Sequence, residues 1–295
     1  MQDADLIIIG AGPAGLSAAQ YGARANLKVL LLEQMLVGGQ ALNIDRLENY
    51  PGNATGKSGF ELVQDLQAQA EGFGAVIIND GVLSIAGEEG GFALGLASGK
   101  SLRAPALILA AGALPRLLGV PGEAEFSGRG VSYCATCDGP FFKGKKVFVA
   151  GGGDSACQEA EYLAGLAGEV VMVHRKEKFR AQKALAGRVL HNEKIKLRFC
   201  SRITEIRGDK KVSAVLVEDL KTGTKTEEQA DAVFIFVGSI PQNALVPSAE
   251  KDEAGYIITG PDMASSIPGI FVAGDLRSSP FRQVVVAAAE GAIAA

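Results

Sequence analysis

The stretch Leu6-Ile7-Ile8-Ile9-Gly10-Ala11-Gly12-Pro13-Ala14-Gly15 decides the fold of this 295-residue chain. Its four leading apolar residues predict a buried parallel strand, and the glycines permit a tight turn into a helix over residues 14–25. A second strand over residues 28–32 ends at Glu33, which lies 23 residues after Gly10. This order is typical of a βαβ unit that binds a dinucleotide, with the pyrophosphate at the positive helix end and a carboxylate on the ribose diol.

The same order of features returns in the second half of the chain. Residues 146–150 predict a strand that leads into Gly151-Gly152-Gly153-Asp154-Ser155-Ala156. A helix to about residue 163 and a strand over residues 169–173 follow. Because a single glycine fingerprint is weak evidence, the repetition with matched spacing is what favours two dinucleotide-binding units.

The two units differ at the position that contacts the ribose in a dinucleotide-binding fold. At 23 residues after Gly151 the chain has His174 in place of an acid, and the run His174-Arg175-Lys176-Glu177-Lys178-Phe179-Arg180 begins there. A cationic cluster at this strand end suits the 2′-phosphate of NADP, whereas a carboxylate would repel it. The alternative is a solvated basic surface run.

Short β-rich segments separate the parts of each unit. The predicted strands cover residues 75–83, 92–96, 101–104 and 106–110, then 195–207, 212–218 and 232–237, and finally 255–258 and 270–275. The last two segments continue the first unit, so the fold class is α/β with two Rossmann-like, three-layer ββα dinucleotide-binding domains, the second inserted into the first. We expect a discontinuous first domain over residues 1–113 and 243–295, and a second domain over residues 114–242.

A cysteine pair, Cys134-Ala135-Thr136-Cys137, lies ahead of the second fingerprint and is followed by Asp138. This spacing closes a small disulfide loop and can lower a thiol pKa from about 8.5 toward about 7, which favours dithiol exchange. The alternatives are half of a zinc site or a chance pair. Zinc would need two more ligands of similar spacing, and Cys157 and Cys200 are isolated, so we expect them to be buried apolar residues.

The composition excludes several classes of protein. The net charge of −4 and the pI near 5.4 argue against a nucleic-acid or anionic-membrane surface. The chain starts without a basic segment ahead of its first apolar run, so we expect no signal peptide. No stretch approaches the roughly 18 apolar residues of a membrane span, and the apolar end is interrupted by Glu290. We expect a soluble, cytoplasmic protein that contacts neither nucleic acid nor membrane.

Together these motifs resemble those of the low-molecular-weight, bacterial-type thioredoxin reductases, class II pyridine nucleotide-disulfide oxidoreductases, over essentially the whole chain. The motifs that carry the resemblance are the two glycine fingerprints, Gly38-Gly39-Gln40, Glu48-Asn49-Tyr50-Pro51-Gly52, Cys134-Ala135-Thr136-Cys137-Asp138-Gly139, the basic run from His174 to Arg180, and Gly274-Asp275 with Arg282-Gln283-Val284. The resemblance implies an FAD-dependent enzyme that uses NADPH, and a homodimer.

The resemblance places FAD in the first domain. The implied ligands are Gly10, Gly12, Pro13, Ala14 and Gly15 at the pyrophosphate, Glu33 at the adenosine ribose, Val82 at the adenine, Gly39, Gln40 and Asn49 around the flavin, Asp275 at the ribityl chain, and Arg282, Gln283 and Val284 at the isoalloxazine edge. Gly112 and Gly274 are further implied FAD residues. Single members keep other interpretations: Gly39 and Gly274 as turn glycines, Val82 as a core residue and Asp275 as a helix cap.

NADPH is placed in the inserted domain. The implied ligands are Gly151, Gly153, Asp154, Ser155, Ala156 and His174, with Arg175, Lys176 and Arg180 near the 2′-phosphate. The family usually has arginine where this chain has Lys176. Lysine keeps the charge but lacks the planar, bidentate geometry of arginine, so we expect a weaker preference for NADPH. Ala111 replaces a common threonine, at the cost of one hydroxyl contact.

The catalytic residues implied are Cys134, Cys137 and Asp138. Cys137 faces the flavin, Cys134 attacks the disulfide of thioredoxin, and Asp138 transfers the proton, with a turn or cap role as its alternative. Because the dithiol must reach both flavin and an external protein, domain rotation on the two linkers is expected. Phe141 and Phe142 either pack internally or form an apolar patch for thioredoxin.

Three other functions remain open. A flavoprotein that feeds a peroxidase is expected to carry a long amino-terminal extension, and this chain begins at its first strand. A ferredoxin- or NADH-linked flavin disulfide reductase would lack the basic run. A non-enzymatic flavin redox sensor would show no sustained NADPH oxidation.

Overall fold

The chain divides into two units in the computed structural model, which describes residues 3–44, 47, 49–53 and 56–295. Unit 1 consists of Met1–Leu114 and Ile240–Ala295, and unit 2 consists of Pro115–Ser239. Unit 2 is therefore inserted into the chain of unit 1. Glu48, which belongs to one of the motifs above, lies outside the described residues.

Eighteen strands and six α-helices are formed by the described part of the chain. Unit 1 begins with β1 (Leu6–Ile9), α1 (Pro13–Arg24), β2 (Val29–Glu33), α2 (Gly59–Gly72), β3 (Val76–Asn79), β4 (Val82–Glu88), β5 (Gly91–Leu96), β6 (Ser101–Ala104) and β7 (Ala106–Leu109). The two connections between the units carry β8 (Ala113–Pro115) and β17 (Ser239–Pro241). Unit 2 contains β9 (Val131–Ser132), α3 (Ala135–Asp138), β10 (Lys146–Gly151), α4 (Asp154–Leu166), β11 (Glu169–His174), α5 (Lys183–Leu190), β12 (Ile195–Phe199), β13 (Ser201–Gly208), β14 (Val212–Asp219), β15 (Lys225–Gln229) and β16 (Ala232–Phe236). Unit 1 resumes with β18 (Ile270–Val272) and α6 (Val284–Ala294).

Unit 1 is built around a parallel five-stranded sheet in the order β18-β7-β1-β2-β3. Alternate residues of β1 point to opposite faces of this sheet. Leu6 and Ile8 pack with α1, α2 and α6, whereas Ile7 and Ile9 pack with the antiparallel sheet β4-β5-β6. Because both faces are covered, β1 is apolar at every position, as a buried parallel strand requires.

Unit 2 repeats this three-layer arrangement. Its parallel sheet has the order β12-β11-β10-β16-β9. Val147 and Val149 of β10 pack with α4 and α5, whereas Phe148 and Ala150 pack with the antiparallel sheet β13-β14-β15. The predicted fold class, α/β with two ββα dinucleotide-binding folds, is confirmed.

Two of the predicted strands are wrong as single elements. Residues 75–83 form β3 in the parallel sheet and β4 in the antiparallel one, and the chain turns between them at Asp80, whose amide donates to the carbonyl of Ile78 at 3.1 Å. Residues 195–207 form β12 and β13, which are separated by Cys200 at a φ of 49°. Each break lets the chain leave one layer and enter another.

Residues 255–258 do not form the predicted strand. Ile257 makes only isolated bridges, to Lys251 and to Arg277. These bridges still place the segment against the loop after β18, where the candidate site lies.

Helix α2 begins with a capping box that the sequence carries as Ser58-x-x-Glu61. The Ser58 hydroxyl accepts from the Glu61 amide, and the Glu61 carboxylate accepts from the Ser58 amide at 2.8 Å. None of the helices in the described ranges has both the length and the apolar character needed to cross a bilayer.

Candidate active site

The cysteine pair forms a disulfide at the start of a short helix in unit 2. Cys134 and Cys137 are bonded, with their Cα atoms 5.4 Å apart. Strand β9 delivers the chain to this point, and α3 turns it so that the Cys137 amide lies 3.1 Å from the Cys134 sulfur. A disulfide is what the redox interpretation of the C-x-x-C spacing predicts.

The three predicted catalytic residues lie together at the surface of unit 2. Cys137 is exposed, and Cys134 and Asp138 are half-buried. The Asp138 amide donates to the carbonyl of Cys134 at 3.2 Å. Its side chain makes no capping hydrogen bond to the 3₁₀ turn Gly139–Phe142 that follows. The carboxylate therefore lies one residue from the exposed sulfur without a capping role.

The first glycine loop is formed between β1 and α1. Gly10 has a φ of 100°, and a Cβ at this position would lie 2.5 Å from the Ala110 carbonyl oxygen. A Cβ on Gly15 would overlap the carbonyl of Gly10, whereas one on Gly12 would meet no atom within 4 Å. Two glycines thus close the turn, and the third leaves an open side at the helix start, where a pyrophosphate fits.

Glu33 lies at the end of β2 and holds this glycine loop. Its Oε2 atom accepts from the Ala11 amide at 2.8 Å, and its Oε1 atom accepts from the Met35 amide at 2.9 Å. A carboxylate has about four acceptor positions, so both oxygens can still accept from ribose hydroxyls. The geometry fits the role predicted for this residue.

Residues predicted to surround the flavin come from distant parts of unit 1. The Gln40 side-chain amide donates to the backbone carbonyl of Ala113. The Asn49 side-chain amide donates to the side-chain carbonyl oxygen of Gln283 at 2.8 Å. Gly39 begins the 3₁₀ turn Gly39–Asn43, close to Gly12.

Three further predicted FAD residues have structural contacts. The Gly112 carbonyl accepts from the Gln242 amide at 3.0 Å, and Gly112 has a φ of 64°. Val284 packs against the helix-side core of unit 1, and Val82 packs between its two sheets. The core interpretation of Val82 therefore accounts for its observed contacts.

Asp275 lies in the 3₁₀ turn Gly274–Leu276 that follows β18. Burial raises the pKa of its carboxyl group above the ordinary value, the nearby Arg282 opposes this shift, and Glu290 adds to it. The Arg282 guanidinium lies 3.7 Å from the ring centroid of Tyr256, a distance typical of a cation–π contact. A partly desolvated carboxyl in this position can serve as a hydrogen-bond partner for ribityl hydroxyls.

Glu290 organises the same turn and was missed from the sequence as a site residue. It is only 5% exposed, and its Oε2 atom accepts from the Gly274 amide at 2.8 Å. Its other oxygen pairs with Arg277, which also donates to the Thr259 hydroxyl at 2.9 Å. The signal for this role was an acidic residue inside the otherwise apolar helix α6.

The second glycine loop lies between β10 and α4. Gly153 occupies the cap of α4, and a Cβ there would meet no atom within 4 Å. The Asp154 carboxylate accepts from the backbone and side-chain amides of Gln182, at 2.7 and 2.9 Å. Ser155 is exposed and Ala156 is buried. Like the first loop, this one has an open side at a helix start.

His174 lies at the end of β11, beneath the second glycine loop. Any Cβ on Gly152 would collide with the His174 ring, so this contact requires glycine. Burial lowers the pKa of His174, a hydrogen bond with the backbone of Lys178 opposes this shift, and the charges of Arg180, Arg175 and Lys176 lower the pKa further. Its buried Nε2 atom has no hydrogen-bond partner among the described residues. The ring is therefore neutral near pH 7 and packs under the loop.

The cations of the basic run lie on the surface beside this loop. Arg175, Lys176 and Arg180 are exposed, and the Arg180 amide donates to the Gly152 carbonyl at 2.7 Å. That bond fixes the run next to the open side of the glycine loop. The arrangement fits a phosphate carried on a ribose, because the cations stand where an acid would otherwise bind the diol.

The remaining predicted residues fall into two groups. Phe141 is 80% exposed, whereas Phe142 packs edge-on against Phe234 with ring centroids 5.9 Å apart. Cys157 is buried as expected, and burial raises its pKa to about 11. Cys200 is half-buried, which corrects the expectation of a buried residue.

Two glycine loops of matched geometry, with an acid beside one and cations beside the other, and a disulfide in the second unit define a disulfide oxidoreductase that uses a flavin and a nicotinamide nucleotide. The chain belongs to the pyridine nucleotide-disulphide oxidoreductase family, whose model matches residues 4–291. Members of this family that resemble the chain, the thioredoxin reductases, use FAD and NADPH.

The similarity to known thioredoxin reductases extends over nearly the whole chain. A thioredoxin reductase of Treponema pallidum is 52% identical over 293 residues, 99% of this chain and 95% of that protein. The crystal structure of Lactococcus lactis thioredoxin reductase matches with a TM-score of 0.96 at 41% identity, over 99% of this chain and 96% of that one. The thioredoxin reductase of T. acidophilum matches with a TM-score of 0.94 at 35% identity, over 100% and 97%. The resemblance inferred from the motifs is confirmed.

Proposed function

We propose that this chain is a thioredoxin reductase that passes two electrons from NADPH through FAD to the Cys134–Cys137 disulfide and then to thioredoxin. The observation that carries the proposal is the disulfide itself, formed at an exposed turn of a chain that has two dinucleotide loops. The 52% identity to a thioredoxin reductase supports thioredoxin as the partner.

Residues 1–113 and 243–295 are assigned to FAD. Bound FAD supplies a two-electron carrier between a nicotinamide and a disulfide. Gly10, Gly12, Pro13, Ala14 and Gly15 hold its pyrophosphate, and Glu33 binds the ribose while it also binds the Ala11 amide. Asp275 binds the ribityl chain. Gln40, Asn49, Arg282, Gln283 and Val284 surround the flavin, and the bond between Asn49 and Gln283 orients both amides.

Residues 114–242 are assigned to NADPH. Arg175, Lys176 and Arg180 bind the 2′-phosphate, since all three are exposed beside the glycine loop. Gly151, Gly153, Asp154, Ser155 and Ala156 form the pyrophosphate loop. His174 supports that loop from below as a neutral ring, so no carboxylate repels the phosphate. This favours NADPH over NADH and over a ferredoxin-linked reaction.

The two cysteines have different roles in the thiol–disulfide exchange reaction. After two electrons and two protons reduce the disulfide, the Cys134 thiolate attacks the disulfide of thioredoxin and one sulfur of thioredoxin leaves as a thiolate. The Cys137 thiolate then attacks Cys134, which restores the disulfide and releases thioredoxin as a dithiol. Asp138 accepts and returns the proton at these sulfurs.

Three further features belong to the same proposal. Unit 2 rotates on the two connections, because one disulfide must meet both flavin and thioredoxin. The exposed ring of Phe141 contacts thioredoxin, whereas Phe142 packs against Phe234 inside unit 2. The enzyme is a cytoplasmic homodimer, as the family resemblance suggests.

An anaerobic titration tests this function. The purified holoprotein is titrated with NADPH or NADH while flavin absorbance is followed, and oxidised thioredoxin is then added. We expect NADPH to bleach the flavin at lower concentration than NADH, and thioredoxin to restore the oxidised spectrum. A colourless protein that binds no FAD, or a reduced flavin that thioredoxin leaves unchanged, would contradict the proposal.

A further inference from the structure

Glu123 is a buried acid of unit 2 that the proposed reaction does not use. It is 3% exposed. Its carboxylate accepts from three consecutive backbone amides, those of Leu118 at 2.9 Å, Gly119 at 2.6 Å and Val120 at 3.4 Å. These residues follow the point at which the chain enters unit 2. A buried carboxylate with this many donors is held rigidly, because loss of any of these hydrogen bonds would leave a buried charge or a buried amide without a partner.

The fourth donor to Glu123 comes from beside the redox disulfide. The Tyr133 hydroxyl donates to its Oε1 atom at 2.8 Å. Burial and then this hydrogen bond raise the pKa of Tyr133, so the phenol keeps its proton and remains a donor at every pH of interest. Tyr133 is the residue that precedes Cys134. One carboxylate therefore joins the segment Leu118–Val120, which lies close to the start of unit 2, to the turn that carries the redox disulfide.

Cys134 is held from a second side by strand β9. Ser132 pairs with Phe234 in the parallel sheet, and its hydroxyl bonds both the amide and the carbonyl of Cys134, each at 3.1 Å. Without the bond from Tyr133 to Glu123, the hydrogen bonds of this strand and the packing of the Tyr133 ring against the core of unit 2 would be the remaining described contacts on the amino-terminal side of the disulfide.

We propose that Glu123 is a positioning residue for the disulfide, which acts through Tyr133 to make the connection at Leu118–Val120 and the redox turn one rigid piece. Glu123 contacts no reacting atom. The inference rests on the proposed function, since it matters only if the disulfide must be delivered accurately to the flavin. Misplacement of a reacting group by about 1 Å can cost a rate of about a hundredfold, so a tie between the connection and the cysteines has a kinetic consequence.

The test compares two rates in the holoenzyme after rapid mixing with one equivalent of NADPH. Flavin bleaching reports its reduction, and acid quenching with alkylation and mass spectrometry reports thiols at Cys134 and Cys137. In Tyr133→Phe, which keeps the Glu123–amide bonds, we expect thiol formation to slow about tenfold with flavin reduction unchanged. Glu123→Leu, which removes both acceptor oxygens, should slow it at least as much and should speed amide exchange over Leu118–Val120.

Matched variants separate positioning from general damage. Glu218→Gln removes a carboxylate of the same unit that pairs with Arg202, and it should leave both rates unchanged. In the double variant, Tyr133→Phe should add nothing to Glu123→Leu, because leucine has no oxygen left to accept from the tyrosine hydroxyl.

The inference is overturned if Tyr133→Phe forms thiols as fast as the wild type, or if it slows flavin reduction and thiol formation equally. Since Tyr133→Phe leaves the amide bonds intact, the test stands even where Glu123→Leu fails to fold. If the wild type forms no thiols at all, the proposed function fails, and the inference fails with it; the two failures are thus distinguishable.

Discussion

Replacing Glu290 with glutamine probes the buried ion pair that supports the Gly274–Asp275 turn. Glutamine has nearly the same shape, and its carbonyl oxygen can still accept from the Gly274 amide. What it removes is the negative charge opposite Arg277. The side chains of Glu290 and Arg277 are 6% and 15% exposed, so the arginine charge would have little access to water after the change.

The expected loss follows from that burial. Removing one partner of a buried ion pair typically costs about 3–5 kcal/mol, because the other charge stays buried without compensation. We therefore expect Glu290→Gln to lower the free energy of unfolding of unit 1 by about 3 kcal/mol and to release FAD at a lower urea concentration. The matched control is Asp65→Asn, which breaks the exposed pair with Lys57. It should unfold like the wild type, since exposed pairs contribute little.

The assay is a urea titration of the holoprotein that follows released flavin fluorescence and far-UV circular dichroism together. Adding Arg277→Gln to Glu290→Gln should recover much of the loss, because no unpaired charge then remains. If Glu290→Gln released FAD at the same urea concentration as Asp65→Asn, the pair would not be holding the turn.

Three further predictions concern the redox and nucleotide sites. Cys134→Ser should abolish thioredoxin reduction and leave NADPH-driven flavin bleaching intact; thioredoxin reduction at the wild-type rate would remove this sulfur from the exchange step. Replacing Lys176 and Arg180 by alanine should raise the Michaelis constant for NADPH by about tenfold or more and change that for NADH little, and equal effects on both would reject the phosphate assignment. Burial lowers the pKa of His174 in the folded protein below the ordinary value of 6.5. The contribution of the neutral His174 ring to the free energy of unfolding is therefore fully present above pH 6.5 and is lost as the pH falls toward the folded-state pKa. His174→Gln should flatten this part of a denaturation–pH profile, and an unchanged profile would contradict the assignment of a buried neutral ring.

The fold could be predicted where one physical pattern decides it. The strand over Leu6–Ile9 is confirmed residue by residue, because a parallel strand covered on both faces must be apolar throughout. The strand predicted over residues 75–83 fails for the complementary reason. Its apolar residues serve two sheets, and hydrophobicity alone does not say in which layer a side chain is buried. The turn at Asp80 was the local sign of the break.

The site could be predicted where backbone geometry demands a residue type. Gly10 and Gly15 are required by close approach of the chain, so their spacing is visible in the sequence. Glu123 and Glu290 were not predictable in the same way. A glutamate is usually exposed, and its burial is justified only by amide donors that the folded chain brings to it. Those donors leave no periodic mark in the sequence.

The matched positions of the two units show how two different residues support the same kind of glycine loop. At the end of β2, Glu33 ties the strand to its glycine loop through the Ala11 amide. At the end of β11, a carboxylate would do the same for the second loop, but it would also repel a 2′-phosphate. The neutral ring of His174 supports the loop by packing under Gly152, and the Arg180 amide adds a hydrogen bond to the Gly152 carbonyl. The histidine thus keeps the loop in place, and under the proposed function its neutral ring would suit a 2′-phosphate where a carboxylate would suit a ribose diol.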